Sequence, residues 1–191
     1  TCAPMGDIYI DWEINIYDVI LIINYVLADG CPDATVCYDE FCEDENQIAN
    51  MDLNQSGGDI DILDIIELIQ LILGTGDSRY TDTGIQIFKD FSGLQLDTEG
   101  DVVIELAISH DDDFEYSLSD NAFLSDAITK DNVTRIIIIH PENGYILNTE
   151  YPFEVVEINA ASGDGYIDVH YEVLPMEYKL NNIYPNPFNP I

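Results

Sequence analysis

The sequence predicts an α+β chain of two domains, a helical N-terminal domain followed by an antiparallel β-sandwich. Three observations support this fold class. A polar segment near the N-terminus recurs further along the chain, and both copies run into a stretch with helical periodicity. After residue 84 apolar residues alternate with polar ones, and clusters rich in Gly, Asn and Asp separate the alternating stretches. We place the helical domain at 1–76, a linker at 77–83, the sandwich at 84–175 and a tail at 176–191.

The composition excludes two classes of binding partner. The chain has 191 residues, of which 38 are acidic and five are Lys or Arg, for a formal net charge of -33. Nucleic acid is excluded because there is no basic face to neutralise phosphates, and anionic membrane surfaces are excluded for the same reason. Such a chain repels itself unless bound cations or a salt-rich environment offset its charge, and both explanations stay open.

The cysteines all fall near the N-terminus, at Cys2, Cys31, Cys37 and Cys42. An even, clustered set predicts two disulfides in an oxidising compartment, with three possible connectivities. A zinc site is the alternative, but the spacing lacks a Cys-x2-Cys pair and a neighbouring His.

No apolar run is long enough to span a membrane, and the start at Thr1 instead of Met suggests a removed leader or a fragment.

Two copies of one pattern make up the predicted helical domain. The first copy begins at Asp7 and the second at Asp52, and the second carries one extra residue at Gly57-Gly58. Each copy continues into apolar residues at i, i+3, i+4 and i+7, the spacing of a helix with one buried stripe. These residues are Val19, Ile22, Ile23 and Val26 in the first copy and Ile65, Leu68, Ile69 and Ile72 in the second. Gly30 and Gly74 are the predicted stop signals.

The polar residues of both copies have the spacing of a calcium-binding loop. Calcium takes six to eight oxygen ligands, which a twelve-residue loop supplies from alternate positions, with glycine at the sixth. The candidate ligands are Asp7, Asp11, Glu13, Asn15 and Asp18 in the first loop and Asp52, Asn54, Ser56, Asp59, Asp61 and Asp64 in the second. The first loop has Tyr9 at a ligand position and Trp12 in place of the glycine. We therefore expect the second loop to bind calcium and the first to bind it more weakly or with altered geometry.

An alternative interpretation is that these Asp and Asn residues cap helices and form turns, as they commonly do. Two copies in register, each with an apolar eighth residue and a helix after the twelfth, favour the calcium interpretation. The repetition is therefore the observation on which the calcium prediction depends.

Two such loops, each followed by one helix and without the preceding helix of an EF-hand, resemble a type I dockerin. The resemblance covers residues 6–29 and 49–75, and it implies a module that needs calcium to fold and that docks onto cohesin domains. It also implies that the tenth and eleventh loop residues contact the partner. Those residues are Ile16 and Tyr17 in the first loop and Ile62 and Leu63 in the second, so the implied contact is hydrophobic. The chain departs from the family at Tyr9, at Trp12, at the extra glycine and in a Cys-rich insertion at about 29–48.

The second half of the chain has the alternating pattern of short strands. The predicted strands are Ile85–Ile87, Val102–Ser109, Phe114–Leu118, Arg135–Ile139, Phe153–Ile158 and Ile167–Val173. Roughly six to eight short strands separated by turn clusters predict a β-sandwich. The unbroken apolar run Ile136–Ile139 predicts a central strand that is covered on both faces.

This half loosely resembles cohesin-like and carbohydrate-binding sandwiches over Gly84–Ile87, Val103–Ser109, Asp120–Ala122 and the strand at Arg135. The resemblance implies that one chain carries both a dockerin-like and a cohesin-like module. Head-to-tail docking between copies would then build an open filament, because a heterologous contact that does not close propagates.

The segment Tyr184–Pro190 resembles the start of the C-terminal sorting domain of the type IX secretion system. This resemblance implies export across a bacterial outer membrane. An extended Pro/Asn-rich linker is the alternative. The sorting-domain resemblance and the cysteine pattern together lead us to expect an extracellular or bacterial cell-surface location.

No pattern of catalytic residues is evident. His110, His140 and His170 are scattered, and no Gly-x-Ser-x-Gly, phosphate loop or zinc-protease helix occurs. We therefore predict a protein that is not an enzyme but a calcium-stabilised structural or interaction protein, which binds copies of itself or a cohesin-like domain. The alternatives are a docking appendage of a larger secreted enzyme complex and a polysaccharide-binding module. Tyrosines that could stack on sugar rings in that module are Tyr145, Tyr151 and Tyr166.

Overall fold

A computed structural model describes residues 4–9, 11–28, 30, 50–57, 59–74, 84–98 and 100–175 of the chain. The four cysteines and the tail at 176–191 lie outside these described residues. The disulfide, zinc and sorting-signal predictions therefore stay predictions.

Two twelve-residue helices begin at the tenth residue of each repeated loop, earlier than the sequence predicts. Helix α1 spans Ile16–Leu27 and helix α2 spans Ile62–Leu73. The predicted stripe is buried in both helices, except that Ile72 is 36% exposed. Helix α2 ends at Gly74, whose φ of 66° is a left-handed conformation that glycine adopts without steric cost. Neither described helix is long and apolar enough to cross a membrane.

The described part of the second half contains ten strands. They are β1 Ile85–Asp90, β2 Gly93–Asp97, β3 Val103–His110, β4 Ser117–Leu118, β5 Ala122–Lys130, β6 Val133–Pro141, β7 Gly144–Asn148, β8 Phe153–Ser162, β9 Gly165–Tyr166 and β10 Val169–Val173. Sheet A has the strand order β10-β1-β2-β7-β4, and sheet B has the order β5-β6-β3-β8-β9. The predicted β-sandwich is confirmed, with three longer strands that the prediction had missed, namely β2, β5 and β7.

One strand pair departs from the predicted antiparallel arrangement. Strand β1 pairs in parallel with β10, with Ile85 opposite Val169 and Lys89 opposite Val173. The remaining pairs among the described strands are antiparallel. The last described strand, β10, is therefore an edge strand of sheet A and lies beside the first strand of the sandwich.

The run Ile136–Ile139 on β6 is buried on both faces, as predicted. Ile136 and Ile138 lie in the core between the two sheets, whereas Ile137 and Ile139 pack with the helices on the outer face of sheet B. All four side chains have an exposed fraction of 0%. An unbroken apolar run is stable here because neither face of the strand meets water.

The helices cover the outer face of sheet B. Helix α2 lies against β3 and β8, and α1 lies against β5 and β6. Val103, Ile137, Ile139 and Ala161 of the sheet belong to the same buried cluster as the apolar stripes of both helices. Burying a valine or isoleucine side chain contributes about 1.5–3 kcal/mol, so the contact between the predicted domains stabilises both.

Candidate metal-binding loops and the adjacent apolar surface

The first loop, Asp7 to Asp18, is built around two fully buried carboxylates. Asp7 and Asp18 each have an exposed fraction of 0%. The Asp18 carboxylate accepts the N–H groups of Ile8 (2.7 Å) and Tyr9 (2.9 Å), which reach it across the loop. The Asp7 carboxylate accepts N–H groups from the middle of the loop, at Asp11 (3.1 Å) and Trp12 (2.9 Å). The backbone therefore wraps around the carboxylates at the first and twelfth positions.

The second loop, Asp52 to Asp64, repeats most of these hydrogen bonds, although the Leu53 N–H donates to the Met51 carbonyl where the equivalent Ile8 N–H donates to Asp18. The Asp52 carboxylate accepts the N–H groups of Ser56 (3.0 Å) and Gly57 (3.1 Å). The fully buried Asp64 accepts the N–H of Asn54 at 3.2 Å. The sequence repeat is thus also a repeat in structure. A backbone bond of 3.2 Å, from Gly6 N–H to the Asn50 carbonyl, joins the segments that precede the two loops.

The sixth residue of both loops has a left-handed backbone. Gly57 has a φ of 65° and Trp12 a φ of 70°. Glycine adopts this conformation without steric cost, whereas the conformation destabilises the fold by about 1–2 kcal/mol at a residue with a Cβ. The first loop therefore keeps the turn although it lacks the expected glycine, and Trp12 bears the cost.

The ninth residue of each loop caps the following helix. Asn15 accepts the N–H of Tyr17 and Asp61 accepts the N–H of Leu63, both at 2.8 Å. In return, the helix residues Asp18 and Asp64 accept the N–H groups of these caps. This is the capping-box arrangement. The capping interpretation from the sequence is therefore confirmed, and it is compatible with metal binding because a carboxylate or amide oxygen has more than one lone pair.

The hydrogen bonds fit both helix capping and calcium binding, whereas the charges of the loops favour calcium binding. Among the described residues there is one ion pair, between Arg135 and Glu105 at 3.0 Å. The buried carboxylates of Asp7, Asp18 and Asp64 therefore accept hydrogen bonds but have no cationic partner in that part of the chain. Burial raises the pKa of Asp64, and the carboxylates of Asp61 and Asp52 raise it further. A buried carboxylate without a counter-charge is costly.

The donors present are oxygens, which suit a hard cation such as calcium. Among the described residues, no group of three or more His, Cys, Asp or Glu side chains is arranged to hold a metal ion. Calcium would therefore also need the amide oxygens of Asn15 and Asn54, the Ser56 hydroxyl, main-chain carbonyls and water. The exposed candidate ligands are Asp11, Glu13, Ser56 and Asp59, and the half-buried ones are Asn15, Asp52, Asn54 and Asp61.

The predicted partner-binding residues fall into two different environments. Ile16 and Tyr17 are exposed to 40% and 63%, whereas Ile62 is fully buried and Leu63 packs against the same buried cluster. Ile62 is therefore inaccessible to a partner in this arrangement.

Around the first loop, exposed apolar side chains form a surface that we call the loop-1 patch. The loop-1 patch consists of Tyr9, Trp12, Ile16, Tyr17 and Ile20.

Contact with the sandwich causes this asymmetry. Ile62 and Ile66 at the start of α2 are buried in the cluster shared with sheet B, whereas the equivalent Ile16 and Ile20 of α1 are exposed. The ends of the helices show the opposite: Leu27 of α1 is buried and the equivalent Leu73 of α2 is exposed. The repeat thus has two equivalent apolar faces, and the sandwich covers one of them.

A tyrosine of the sandwich reaches the second loop. The Tyr166 hydroxyl, on the short strand β9, donates a hydrogen bond of 2.9 Å to Oδ2 of Asp61. Partial burial raises the pKa of Tyr166, and the Asp61 carboxylate raises it further, so the hydroxyl keeps its proton. The sequence had suggested Tyr166 only as a sugar-stacking residue. No local signal could have revealed a contact between residues this far apart in the chain.

The other two tyrosines named from the sequence lie elsewhere on the sandwich. Tyr145 donates a hydrogen bond of 2.7 Å to Asp90, which raises the pKa of Tyr145. Tyr151 is exposed at the edge of an aromatic group centred on Phe114, with a distance of 6.4 Å between the two ring centroids.

A polar cleft of about 500 Å³ lies at one end of the sandwich. Lys89 on its wall donates a hydrogen bond to the Phe153 carbonyl and lies 4.2 Å from the centroid of the Phe153 ring. His110 in the same cleft is 2.7 Å from the Thr134 hydroxyl. These polar groups satisfy one another, so the cleft contributes nothing to the assignment of a reaction.

The comparisons with known proteins assign no family. No protein-family model matches the chain, and no curated protein matches it. Among solved structures, the chain is similar to the non-cellulosomal cohesin from the hyperthermophilic archaeon Archaeoglobus fulgidus, at 14% identity and a TM-score of 0.32, over 50% of this chain and 93% of that one. A TM-score this low carries no argument about function, which therefore depends on the loops and surfaces described above.

Proposed function

We propose that the protein is a calcium-stabilised interaction module that acts outside the cell and catalyses no reaction. The observation that carries this proposal is the set of buried loop carboxylates, Asp7, Asp18 and Asp64, which have no cationic partner among the described residues. Two cations would offset part of the formal net charge of -33. The cysteine pattern and the Tyr184–Pro190 motif support the location, as predictions from sequence.

Calcium is the cation that the loops fit best. Each loop offers only oxygen donors, in a backbone path with a left-handed sixth residue. Magnesium demands near-ideal octahedral geometry and gives up its water reluctantly, so a loop of mixed carboxylate, amide and hydroxyl donors favours calcium over it. The second loop is the better site, since Asn54 and Gly57 occupy the positions where the first loop has Tyr9 and Trp12.

The loop-1 patch is the surface that we propose for partner binding. It contains Ile16 and Tyr17, which the dockerin resemblance assigns to partner contact, and it adjoins the first candidate calcium site. Two of its exposed aromatic side chains lie next to each other, with the Tyr9 and Tyr17 ring centroids 6.5 Å apart. Exposed aromatic residues that cluster on one surface are typical of protein interfaces.

The partner that we favour is a cohesin-like domain of another protein. The outer face of sheet B is covered by the helices of the same chain, so a second copy can offer that face only after its own helices have left. A separate cohesin-like domain has no such requirement. Head-to-tail assembly of copies into a filament is the second candidate, and docking on the outer face of sheet B would require this exchange of helices between chains.

Calorimetric titration of the full chain with calcium tests the metal proposal. We expect calcium to bind in millimolar magnesium and to raise the melting temperature, and we expect Asp64→Asn to remove the tighter binding event. Asp18→Asn should affect the weaker event, and Asp120→Asn, on an exposed turn of the sandwich, should affect neither. A wild-type chain with no calcium binding would show that both loops are helix caps alone, and unchanged binding in Asp64→Asn would show this for the second loop.

Electron microscopy and sedimentation of the wild-type chain, with calcium and with a chelator, distinguish the two kinds of partner. Calcium-dependent fibres support self-assembly, and a monomer under both conditions excludes it. The variant Tyr17→Asp should abolish fibres or partner binding, whereas Phe91→Asp, an equally exposed aromatic residue on the sandwich, should not. Equal behaviour of the two variants would remove the loop-1 patch from the interface.

A further inference from the structure

The contact between Tyr166 and the second loop carries an inference that rests on the proposed calcium binding. We propose that Tyr166 couples calcium occupancy of the second loop to the docking of the helices on sheet B. In this view the sandwich is part of the metal-sensing unit, and calcium tightens the contact between the two halves of the chain.

The proposed coupling rests on the two hydrogen bonds that the Asp61 carboxylate accepts. Asp61 Oδ1 accepts the Leu63 N–H at the start of α2, and Asp61 Oδ2 accepts the Tyr166 hydroxyl. The orientation of the Asp61 side chain is therefore fixed jointly by the helix and by β9. Asp61 is also the ninth residue of the loop, a position that ligates calcium directly or through water. A displacement of β9 would release one of the groups that orient this ligand.

The docked sandwich also holds the neighbouring parts of the loop. Ile60 and Ile62, on either side of Asp61, are buried in the cluster that includes Val103 and Ala161 of sheet B. Strand β9 is attached to that sheet through Ala161, which pairs with Tyr166. One short path of contacts therefore leads from the loop to the sheet and back to the loop through the tyrosine.

Linkage gives this arrangement a measurable consequence. If docking pre-orders the loop, calcium binds more tightly to the docked state, and calcium must strengthen docking by the same factor. Removing the hydroxyl should remove the part of this factor that Tyr166 carries. For a partly exposed hydrogen bond to a carboxylate we expect about a five-fold weakening of calcium binding.

The test compares Tyr166→Phe with Tyr145→Phe in the full chain. Both substitutions remove one tyrosine hydroxyl that donates to an aspartate, but Tyr145 lies on sheet A, the sheet that the helices do not cover. Calcium affinity is measured by calorimetry. Docking is measured by amide hydrogen exchange in the β8–β9 hairpin, where the Ile167 N–H donates to the Ala160 carbonyl at 3.0 Å.

We expect calcium to slow exchange in the β8–β9 hairpin of the wild type and of Tyr145→Phe, but much less in Tyr166→Phe, whose calcium affinity should fall about five-fold. If Tyr166→Phe binds calcium with unchanged or higher affinity, or shows the same calcium-dependent protection, the coupling through Tyr166 is wrong while the calcium proposal stands. If the wild type binds no calcium at all, the proposed function fails, and the coupling fails with it.

Discussion

The two copies of the loop offer a matched pair of substitutions, Ile16→Ala and Ile62→Ala, at equivalent tenth positions. Ile62 is fully buried between the helices and sheet B, whereas 40% of the Ile16 side chain is exposed. Truncating a fully buried isoleucine to alanine costs about 2–5 kcal/mol, which includes the cavity left behind. Ile16 loses less buried surface and opens no enclosed cavity, and alanine is the better helix former by a few tenths of a kcal/mol. We expect Ile62→Ala to cost about 3 kcal/mol and Ile16→Ala less than about 1 kcal/mol.

Urea denaturation and thermal melting of both variants at a fixed calcium concentration measure this difference. At about 2–4 °C per kcal/mol for a chain of this size, Ile62→Ala should melt roughly 6–12 °C below the wild type. Ile16→Ala should unfold close to the wild type but lose partner binding if the loop-1 patch is the interface. Equal destabilisation by the two substitutions would refute the placement of the helices, because it would mean that the sandwich does not cover one face of the repeat selectively.

Three further predictions concern single side chains. Trp12→Gly should stabilise the chain by about 0.5–1 kcal/mol in urea denaturation, since glycine relieves the left-handed backbone at φ 70° at a smaller entropic cost; a loss of stability would contradict this. Burial raises the pKa of Asp64 above 3.8, so the calcium-free chain should lose stability as pH rises through that raised pKa. Asp64→Asn should flatten this part of a calcium-free stability–pH curve, and an unchanged curve would argue against it. Burial lowers the pKa of His140 below 6.5, so stability present above that pH should be lost as pH falls through the lowered pKa, and thermal melts of His140→Asn should lack this loss.

Periodicity predicted those elements whose burial is set by their own sequence. Val19, Ile22 and Ile23 lie on one face of α1 as their spacing required, and the run Ile136–Ile139 is covered on both faces. Gly74 ends α2 in the left-handed conformation for which glycine is suited. These are local properties, so a single sequence contains the information.

The strands that were missed have weak local signals. Strand β5, Ala122–Lys130, lies at the edge of sheet B and is largely exposed or half-buried, so its residues need no strict alternation. In β2 only Leu94 and Leu96 alternate, which is too short a pattern to recognise. The parallel pairing of β1 with β10 joins opposite ends of the sandwich, and no pattern within either strand specifies a distant partner.

The candidate site was predicted in part, for a similar reason. The oxygen-bearing residues and the turn positions of the loops follow from spacing, and Asp7 and Asp18 do lie together in one hydrogen-bonded loop. Spacing shows which helix face is apolar but not what covers it. The burial of Ile62 and the bond from Tyr166 to Asp61 therefore emerged only from the structure.

The covering of sheet B also changes what self-assembly would require. Separating the helices from the sheet exposes Val103, Ile137 and Ala161 together with the stripes of both helices. Each fully exposed valine, leucine or isoleucine costs about 1.5–3 kcal/mol. Two copies that exchange helices recover the same contacts, so exchange gains little free energy beyond any new contacts and pays the entropy of association. A filament built by helix exchange therefore needs a further source of stability, and the loop-1 patch is an exposed apolar surface that could supply it. If substitutions in that patch leave fibres intact, assembly must instead arise from the strand edges or from residues beyond the described part of the chain.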